Sequence, residues 1–226
     1  MERVDDLQCK GLKLIQDTEK FCFGCDAVEL ANFVEGNSND KAIDMGSGNG
    51  IITILLAGKK GIPTTAIEIQ QPLYELTCRN IQLNNLNDKA SAVCMPMQEY
   101  SAKNKGSATI VVCNPPYRKM GSGFMQETDY VAAARHEMFV TLKEVVESAS
   151  NLLSTGGRFY MVLIAERLAE ALAYCVNVSL EPKILQILTP NQTKPPHLFL
   201  LKCIKDGKTG LKVLKEREVK AYGMEE

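Results

Sequence analysis

An apolar segment of the chain runs directly into Asn114-Pro-Pro-Tyr117, a tetrapeptide whose groups suit a reaction at a planar N–H group. The exocyclic amino group of a nucleobase is a poor nucleophile, because its lone pair is delocalised into the ring. Acceptors aimed at its two N–H bonds favour a more pyramidal and more reactive nitrogen. The Asn114 side-chain oxygen and the Pro115 carbonyl are such acceptors. Pro115 and Pro116 fix φ at about −65° and remove competing donors, and Tyr117 offers a ring for stacking. We therefore expect a substrate clamp here.

A second motif, Asp44-Met-Gly-Ser-Gly-Asn-Gly50, places three glycines between a predicted strand and a predicted helix. Glycines let the backbone approach a ligand closely, and the helix start offers free N–H groups. A dinucleotide site has the spacing G-x-G-x-x-G, whereas Gly50 here comes one residue early. Asp44 would repel a pyrophosphate, but it can accept from the ammonium of an amino-acid moiety. The predicted cofactor is therefore S-adenosylmethionine.

The next two strand ends extend this cofactor site. Glu68 follows Gly46 by 22 residues, where an acid binds ribose hydroxyls in nucleotide-binding α/β sheets. The third strand ends at Met95-Pro-Met-Gln-Glu99, so the adenine is expected to bind backbone groups and Gln98. The predicted cofactor site at these strand ends comprises Asp44, Gly46, Ser47, Gly48, Gly50, Glu68, Ile69, Met97 and Gln98.

These motifs lie in a chain where short apolar segments alternate with helical ones. Strands are predicted over residues 12–15, 41–45, 64–69, 90–94, 109–113, 157–164, 183–188, 197–204 and 211–214. Helices are predicted to begin at Asp26 as N-cap and to cover 51–57, 72–85, 129–153 and 166–176. Asp206-Gly207 indicates a hairpin. The alternation predicts a parallel α/β sheet with helices on both faces.

The composition is that of one globular domain of 226 residues, 45% hydrophobic and 23% charged. No apolar run reaches the roughly 18 residues that a membrane helix needs, and the acidic N-terminus has no signal-peptide pattern. Several of the eight cysteines lie in apolar segments, which favours a reducing, cytoplasmic location. Cys22 and Cys25 form a C-x-x-C without a second pair, so no metal is predicted.

Positive charge is concentrated near the carboxyl end. From Lys202 to Lys220 there are seven basic residues and three acidic ones, in a chain of net charge −1. Such a segment is either a solvated surface or a patch that binds a nucleic-acid backbone. Arg118 and Lys119 directly follow the stacking tyrosine and are predicted to bind the substrate.

The two motifs together resemble class I methyltransferases that act on amino nitrogens. More closely, the chain resembles the bacterial tRNA1(Val) (adenine-37-N6)-methyltransferases over nearly its full length. Besides the two motifs, the similar residues are Leu14-Ile-Gln16, Phe21-x-Phe-Gly-x-Asp26-Ala27, Ala134-Arg-His-Glu137 and Asp206-Gly-Lys208. The sequence departs from the family at Pro96, where relatives tend to have an acid.

The resemblance implies a Rossmann-like fold, with a seven-stranded, mostly parallel sheet whose last strand is antiparallel. It implies methyl transfer to N6 of an adenine in RNA, with tRNA as the favoured substrate, and it adds Asp26 to the cofactor site. We expect a single domain over 1–226, in which 1–40 cover the substrate and cofactor and 41–226 form the core.

Three other functions compete with this interpretation. A protein glutamine N5-methyltransferase uses the same tetrapeptide on another planar N–H group, but such enzymes usually have a helical domain before the glycine loop, and only about 40 residues precede it here. An rRNA guanine-N2 methyltransferase is a further alternative. A protein that binds the cofactor without catalysis would leave the clamp without a role.

Overall fold

The structure, a computed structural model, describes residues 1–17, 24–115, 140–190 and 196–219. It contains a small antiparallel sheet of two strands, β1 (Glu2–Asp6) and β2 (Lys13–Asp17), and one large sheet. The long strands of the large sheet are β3 (Ala42–Met45), β4 (Thr64–Glu68), β5 (Ala90–Cys94), β6 (Ala108–Cys113), β7 (Leu153–Ile164), β8 (Leu180–Thr189) and β9 (Leu198–Lys205). Two dipeptide strands, β10 (Lys212–Val213) and β11 (Arg217–Glu218), pair with β8.

The long strands run in the order β8, β9, β7, β6, β3, β4 and β5 from one edge of the sheet to the other. β9 is antiparallel to both of its neighbours, β7 and β8. The other pairs of long strands are parallel. The predicted seven-stranded, mostly parallel sheet with an antiparallel last long strand is confirmed.

Helices cover both faces of the sheet, as predicted. They are α1 (Cys25–Phe33), α2 (Ile51–Ile54) with a π-helical continuation over Leu55–Lys59, α3 (Gln71–Leu83), α4 (Met97–Lys103), α5 (Leu142–Leu152) and α6 (Leu168–Asn177), the last preceded by a 3₁₀ turn over Ala165–Arg167. Pro72 lies in the first turn of α3, where its missing N–H costs no hydrogen bond. The sequence did not predict α4. None of the helices in the described ranges has both the length and the apolar character needed to cross a bilayer.

The strands separate two apolar layers, because successive side chains of a strand point to opposite faces. In β7, Tyr160 and Val162 belong to the layer under α1 and α2, whereas Phe159 and Met161 belong to the layer under α5 and α6. All four side chains are buried. This part of β7 is therefore apolar on both faces, as expected for a sheet covered on both faces.

The predicted helix over 129–153 is not continuous. Residues 129–139 lie outside the described ranges, Val140 is not helical, and α5 begins at Leu142. Thr141 and Glu144 form a capping box: the Thr141 hydroxyl accepts from the Glu144 N–H at 3.3 Å, and the Glu144 carboxylate accepts from the Thr141 N–H at 2.7 Å. These reciprocal bonds satisfy two N–H groups at the helix start, so the helix begins there.

The predicted carboxyl-terminal hairpin is wrong. A turn does follow β9, and the Gly207 N–H donates to the Ile204 carbonyl at 3.2 Å. The next strand, however, pairs with β8 in a parallel register that aligns Lys212 with Ile184. β9 already has a neighbour on each side, so its backbone groups cannot pair with a further strand. The chain therefore crosses to the far side of β8, and its next strand, β10, pairs with the open edge of β8.

Candidate active site

Three strand ends meet at one edge of the sheet. β3 lies between β4 and β6, and the register aligns Met45 with Ile67 on one side and with Cys113 on the other. The residues that follow, among them Glu68 and Asn114, therefore begin at the same edge as the glycine loop. The crevice beyond the carboxyl ends of parallel strands is where open α/β sheets bind ligands.

The glycine loop is tied to β4 by its own backbone. The N–H groups of Gly46 and Ser47 both donate to the Ile67 carbonyl, at 2.9 and 3.0 Å. Gly48 has a positive φ of 57°, and a Cβ there would meet nothing within 4 Å, so a ligand can approach its backbone closely. At Gly50, with φ 84°, a Cβ would lie 2.9 Å from the Thr77 methyl group. The loop is therefore open on one side and packed against α3 on the other.

Asp44 has a buried carboxylate whose two oxygens differ in their hydrogen bonding. Its Oδ2 accepts from the Thr53 hydroxyl at 2.8 Å and from the Thr53 N–H at 3.1 Å. The pKa of Asp44 is raised to about 7. Burial is the main cause of the rise, the two bonds from Thr53 oppose it, and the charge of the nearby Glu68 adds to it. Its Oδ1 is buried and has no hydrogen-bond partner among the described residues.

Ser47 presents a second polar atom of this kind: within the described ranges, its buried hydroxyl has no partner either. Buried polar atoms in native proteins are rarely left unbonded, so each of these atoms indicates a ligand or a solvent molecule. A buried carboxylate oxygen and a buried hydroxyl at the start of the glycine loop, which leads to the open backbone of Gly48, fit a cation with its own hydrogen-bonding groups. The amino-acid part of S-adenosylmethionine has these properties.

Glu68 links the glycine loop to the end of β4. Its Oε2 accepts from the Gly48 N–H at 2.9 Å, and its Oε1 accepts from the Gln70 N–H at 2.9 Å. The side chain is buried. A carboxylate can accept more than two hydrogen bonds, so Glu68 can also accept from ribose hydroxyls. Glu68 therefore shapes the loop as well as offering a ribose contact.

The residues predicted around the adenine lie in different surroundings. The Met97 methyl group is 3.8 Å from the position that a Cβ on Gly46 would occupy, so Met97 borders the glycine loop. Ile69 is 38% exposed at the end of β4, as an apolar surface would be beside a planar ligand. The pKa of the Glu144 carboxylate at the start of α5 is lowered mainly by the bonds with Thr141, and the nearby Gln98 side chain lowers it further. The adenine role of Gln98 stays a prediction.

Asn114 is held by a residue from the amino-terminal part of the chain. Its Nδ2 donates to the Asp26 Oδ2 at 3.0 Å. Asp26 is not the N-cap of α1 as predicted, because the helix begins at Cys25 and Gly24 is the N-cap. Lying in the first turn instead, Asp26 directs its carboxylate towards Asn114. Pro115 is buried next to it. The remaining predicted clamp and substrate residues, Pro116, Tyr117, Arg118 and Lys119, lie outside the described residues.

Two asparagines, one on α3 and one directly after it, fix the amino-terminal sheet beside the glycine loop. Asn80 accepts from the Ile15 N–H at 2.7 Å and donates to the Ile15 carbonyl at 3.1 Å. Asn84 bonds the backbone of Lys13 in the same way, at 2.8 and 2.7 Å. Asn80 also donates to the Asn49 carbonyl of the glycine loop at 2.9 Å. The sequence did not single out these amides, because polar residues on a helix usually face solvent.

Solved structures that share this fold include a predicted O-methyltransferase and a protein bound to AdoMet. A predicted O-methyltransferase from Agrobacterium tumefaciens is similar with a TM-score of 0.67 and 17% identity, covering 86% of each chain. TYW2 from M. jannaschii, solved in complex with AdoMet, is similar with a TM-score of 0.61 and 19% identity, covering 90% of this chain and 86% of that one. The order of the long strands and the antiparallel β9 define a class I methyltransferase fold.

The chain belongs to the methyltransferase small domain family, which matches residues 27–178. The tRNA1(Val) (adenine(37)-N6)-methyltransferase of Shewanella sediminis is 23% identical over 188 residues, 79% of this chain and 76% of the relative. The protein of the same name from Bacteroides fragilis is 28% identical over 141 residues, 62% of this chain and 59% of the relative. The predicted methyltransferase class and the stated resemblance are confirmed.

Proposed function

We propose that the protein transfers a methyl group from S-adenosylmethionine to the N6 amino group of an adenine in RNA, with tRNA as the substrate, in the cytoplasm. The observation that supports this most is the position of Asn114, directly after β6 and beside the strand that leads into the glycine loop. The names of the curated relatives agree with this substrate. The cofactor is the one that the family and the fold imply.

The cofactor would be held by residues of the two neighbouring strand ends. When bound, S-adenosylmethionine supplies a methyl group on a positively charged sulfur. Asp44 Oδ1 and the Ser47 hydroxyl would bind its amino-acid part, since both are buried polar atoms without a partner in the described ranges. Glu68 would accept from the ribose hydroxyls at the end of β4, where its carboxylate also accepts from the Gly48 and Gln70 N–H groups.

The substrate amine would be bound by acceptors at the end of β6. The Asn114 side-chain oxygen and the Pro115 carbonyl would accept the two N–H bonds of the adenine amine, favouring a pyramidal nitrogen whose lone pair can attack. Tyr117 would stack on the base. Reaching N6 requires a base that is extruded or already unstacked in a loop. No general base is needed, because the methylated nitrogen is acidic enough to lose its proton to water.

A basic strip along the sheet edge supports an RNA substrate. Lys208, Lys212 and Lys215 are exposed beside β8. Lys202 and Lys205 are not part of this strip, because Lys202 is paired with Glu35 and Lys205 donates to Ser150 at 2.7 Å.

The strip leads towards the catalytic edge of the sheet. The register aligns Arg217 of β11 with Leu188, near the carboxyl end of β8. Four strand spacings separate β11 from β6, or about 19 Å. An RNA whose backbone is bound along the strip could therefore place a base at Asn114, a short distance further along the RNA chain.

We further propose that residues 1–40 cover the cofactor and substrate, while 41–226 form the catalytic core. Three contacts support this division: Asn80 fixes β2 beside the glycine loop, the Asn49 amide donates to Gln16 at 3.5 Å, and Asp26 bonds Asn114.

The reaction is tested by incubating the purified protein with S-adenosylmethionine labelled in its methyl group, together with separate RNA and protein fractions. We expect label in the RNA fraction, and after digestion to nucleosides we expect it in N6-methyladenosine. Label only in protein would favour glutamine methylation, and label in N2-methylguanosine would favour the guanine alternative. Either result would contradict the proposal.

The RNA strip is tested by reversing Lys208, Lys212 and Lys215 to glutamate. Phosphate contacts release counterions, so the affinity of the wild-type protein for RNA should fall with salt, with a log–log slope of about −0.7 per contact on single strands. The triple variant should bind RNA more weakly and show a flatter slope, with cofactor affinity unchanged.

The matched control for this experiment reverses three exposed lysines elsewhere, Lys89, Lys105 and Lys143, which changes the net charge by the same amount. If both triple variants weakened RNA binding equally, the effect would come from net charge and the strip would have no specific role.

A further inference from the structure

The hydrogen bond between Asp26 and Asn114 determines which way the Asn114 amide faces. The two residues are 88 positions apart, and Asn114 Nδ2 lies 3.0 Å from Asp26 Oδ2. An ionised carboxylate only accepts hydrogen bonds, whereas an asparagine amide has an NH₂ group on one side and an oxygen on the other. Only the NH₂ side can therefore face Asp26, which leaves the Asn114 oxygen for a different partner.

We propose that Asp26 is a positioning residue for methyl transfer, which holds the Asn114 amide in the orientation that presents its oxygen to the substrate amine. This inference rests on the proposed function, in which that oxygen accepts from the amine. In the flipped orientation, the amide would direct an N–H donor at another N–H donor. Asp26 acts through Asn114 and needs no contact with the reacting atoms.

The size of this effect follows from the strength of the bond. The oxygen and nitrogen of an amide are similar in size, so packing alone discriminates poorly between the two orientations. A hydrogen bond to a charged group favours the bonded arrangement by about ten- to hundredfold. Without Asp26, a large share of the enzyme molecules would present the wrong group.

The space around Asp26 supports a specific role for its carboxylate. A Cβ on Gly24 would lie only 2.5 Å from Asp26 Oδ1, so the carboxylate occupies the space that a side chain at position 24 would need. The Gly24 backbone has φ −95° and ψ 174°, a conformation that any residue adopts. The glycine is therefore needed for space and not for backbone geometry.

The position of Asp26 in the helix also suits a negative charge. It lies in the first turn of α1, where the free N–H groups and the helix dipole stabilise an anion. Its side chain is buried, with only 7% exposed, so solvent screens its bond to Asn114 weakly. The Asp26 carboxylate is thus supported from one side by the helix and from the other by the amide.

Steady-state kinetics and calorimetry separate this role from the direct cofactor contact that the sequence predicted for Asp26. In Asp26→Asn, the new amide can pair with Asn114 in either direction, so the preference for one orientation is lost without a change in volume. We expect turnover to fall about tenfold or more, with the dissociation constant of S-adenosylmethionine changed less than twofold. Unchanged turnover, or a cofactor affinity that falls as much as turnover, would overturn the proposal.

Gly24→Ala offers an independent disturbance that keeps the charge. The added methyl group would displace the Asp26 carboxylate, so turnover should fall in the same direction and by a smaller factor. The matched control is Gly61→Ala, because a Cβ at Gly61 meets nothing within 4 Å. Gly61 has a positive φ of 70°, so this control can cost stability, but it should leave turnover per folded molecule unchanged. Equal turnover in Gly24→Ala and wild type would contradict the proposal.

Exchanging the two residues tests the contact itself. Asn114→Asp places two carboxylates against each other, whereas the double variant Asp26→Asn/Asn114→Asp restores an amide–carboxylate bond in the reverse direction and still presents an acceptor. We expect the double variant to recover at least tenfold in turnover over Asn114→Asp. No recovery would overturn the proposal.

The same exchange can also be followed by thermal stability, a measurement that does not require catalysis. The melting temperature of Asn114→Asp should fall as the pH rises through the carboxylate range, because the two ionised groups repel. This fall should be absent from the double variant. The stability comparison does not depend on the reaction: if the wild-type protein labelled a group other than adenine N6, only the proposed function would fail. Turnover would then be compared on the labelled substrate. Identical pH profiles in the two variants would contradict the contact.

Discussion

The two halves of the proposed active site are held in place differently. On the cofactor side, Asp44 and Glu68 accept hydrogen bonds from residues close by in the sequence or in the neighbouring loop, chiefly Thr53 and Gly48. On the substrate side, Asn114 depends on Asp26, a residue from a separate helix 88 positions away. The cofactor half is therefore fixed by local chain geometry, whereas the substrate half is fixed by the packing of α1 against the sheet. The two halves should respond differently to mutation.

The largest expected effect is on the substrate side, in Asn114→Ala. The side-chain oxygen is proposed to act on the nucleophile, so its loss should be felt in the transition state and lower turnover by about 10²–10³-fold. Cofactor affinity, measured by calorimetry, should change far less. The control is Asn104→Ala, which removes an amide that bonds the Tyr100 carbonyl at the far end of α4. Equal losses in turnover and cofactor affinity would end the distinction between the two halves.

On the cofactor side, Glu68→Ala should weaken binding of S-adenosylmethionine by about 1.5–3 kcal/mol, the range of a hydrogen bond to a charged group. Part of this loss should appear as a lower melting temperature, because Glu68 also binds the Gly48 and Gln70 backbone. Glu75→Ala, an exposed carboxylate on α3, is the control and should leave the affinity unchanged. Calorimetry that gave the wild-type affinity for Glu68→Ala would remove Glu68 from the site.

A pH titration should also distinguish the halves. Asp44 must be ionised to bind an ammonium, and burial raises its pKa to about 7. Cofactor affinity should therefore increase about tenfold between pH 5.5 and 7, a range in which the ammonium stays charged. Calorimetry at a series of pH values measures this change. An affinity that did not vary over this range would mean that Asp44 makes no contact with the ammonium.

The stability of the cofactor-free protein gives a second view of the same group. The folded-state pKa of Asp44 lies above the unfolded value of 3.8. The folded state therefore binds more protons between the two values, and its contribution to stability falls as pH rises from about 4 to 7. This part of the pH dependence should be absent in Asp44→Asn, whose side chain does not titrate. A melting curve with the same pH dependence in both proteins would contradict the raised pKa.

The smallest expected effect concerns the support beneath the glycine loop. The fully buried Thr77 hydroxyl donates to the Gly48 carbonyl at 2.9 Å, so Thr77→Val should cost about 0.5–1.5 kcal/mol of unfolding free energy. The control is Thr65→Val, whose hydroxyl bonds Ser91 at 3.2 Å on an exposed surface and should matter little. Chemical denaturation measures both. Equal effects would indicate that the loop needs no support from α3.

The relative placement of the groups in the proposed cofactor half follows from the sequence, because that half is local. Strand, glycine loop and helix follow one another within a few residues, so the spacing of Asp44, Gly46 and Gly50 alone determines where these groups lie. The same holds for Asn114 at the end of β6. The bond between Asn114 and Asp26 could not be predicted, because it depends on how a distant helix packs. Asp26 was expected at the N-cap, because aspartate is one of the residues favoured at that position.

The misplaced elements have similar physical causes. α4 has only seven residues, too short for a clear helical pattern, and packing of Met97 and Tyr100 against the layer under α5 stabilises it. The hairpin was predicted from Asp206 and Gly207, which do form a turn. Which strand the following residues pair with was decided by the free edge of β8. Likewise, a charge count cannot show that Lys202 is buried within β9.

The placement of β9 between β7 and β8 has a consequence for how the chain acquires its structure during synthesis. In the described residues, β8 pairs with β9, β10 and β11, all of which follow it in the sequence. As the polypeptide leaves the ribosome, β8 therefore has no strand to join until β9 has been made, although the other parallel strands can already associate. Until then, one edge of β7 and all of β8 remain open to pairing with other chains. Completion of this sheet must wait for translation to pass Lys205.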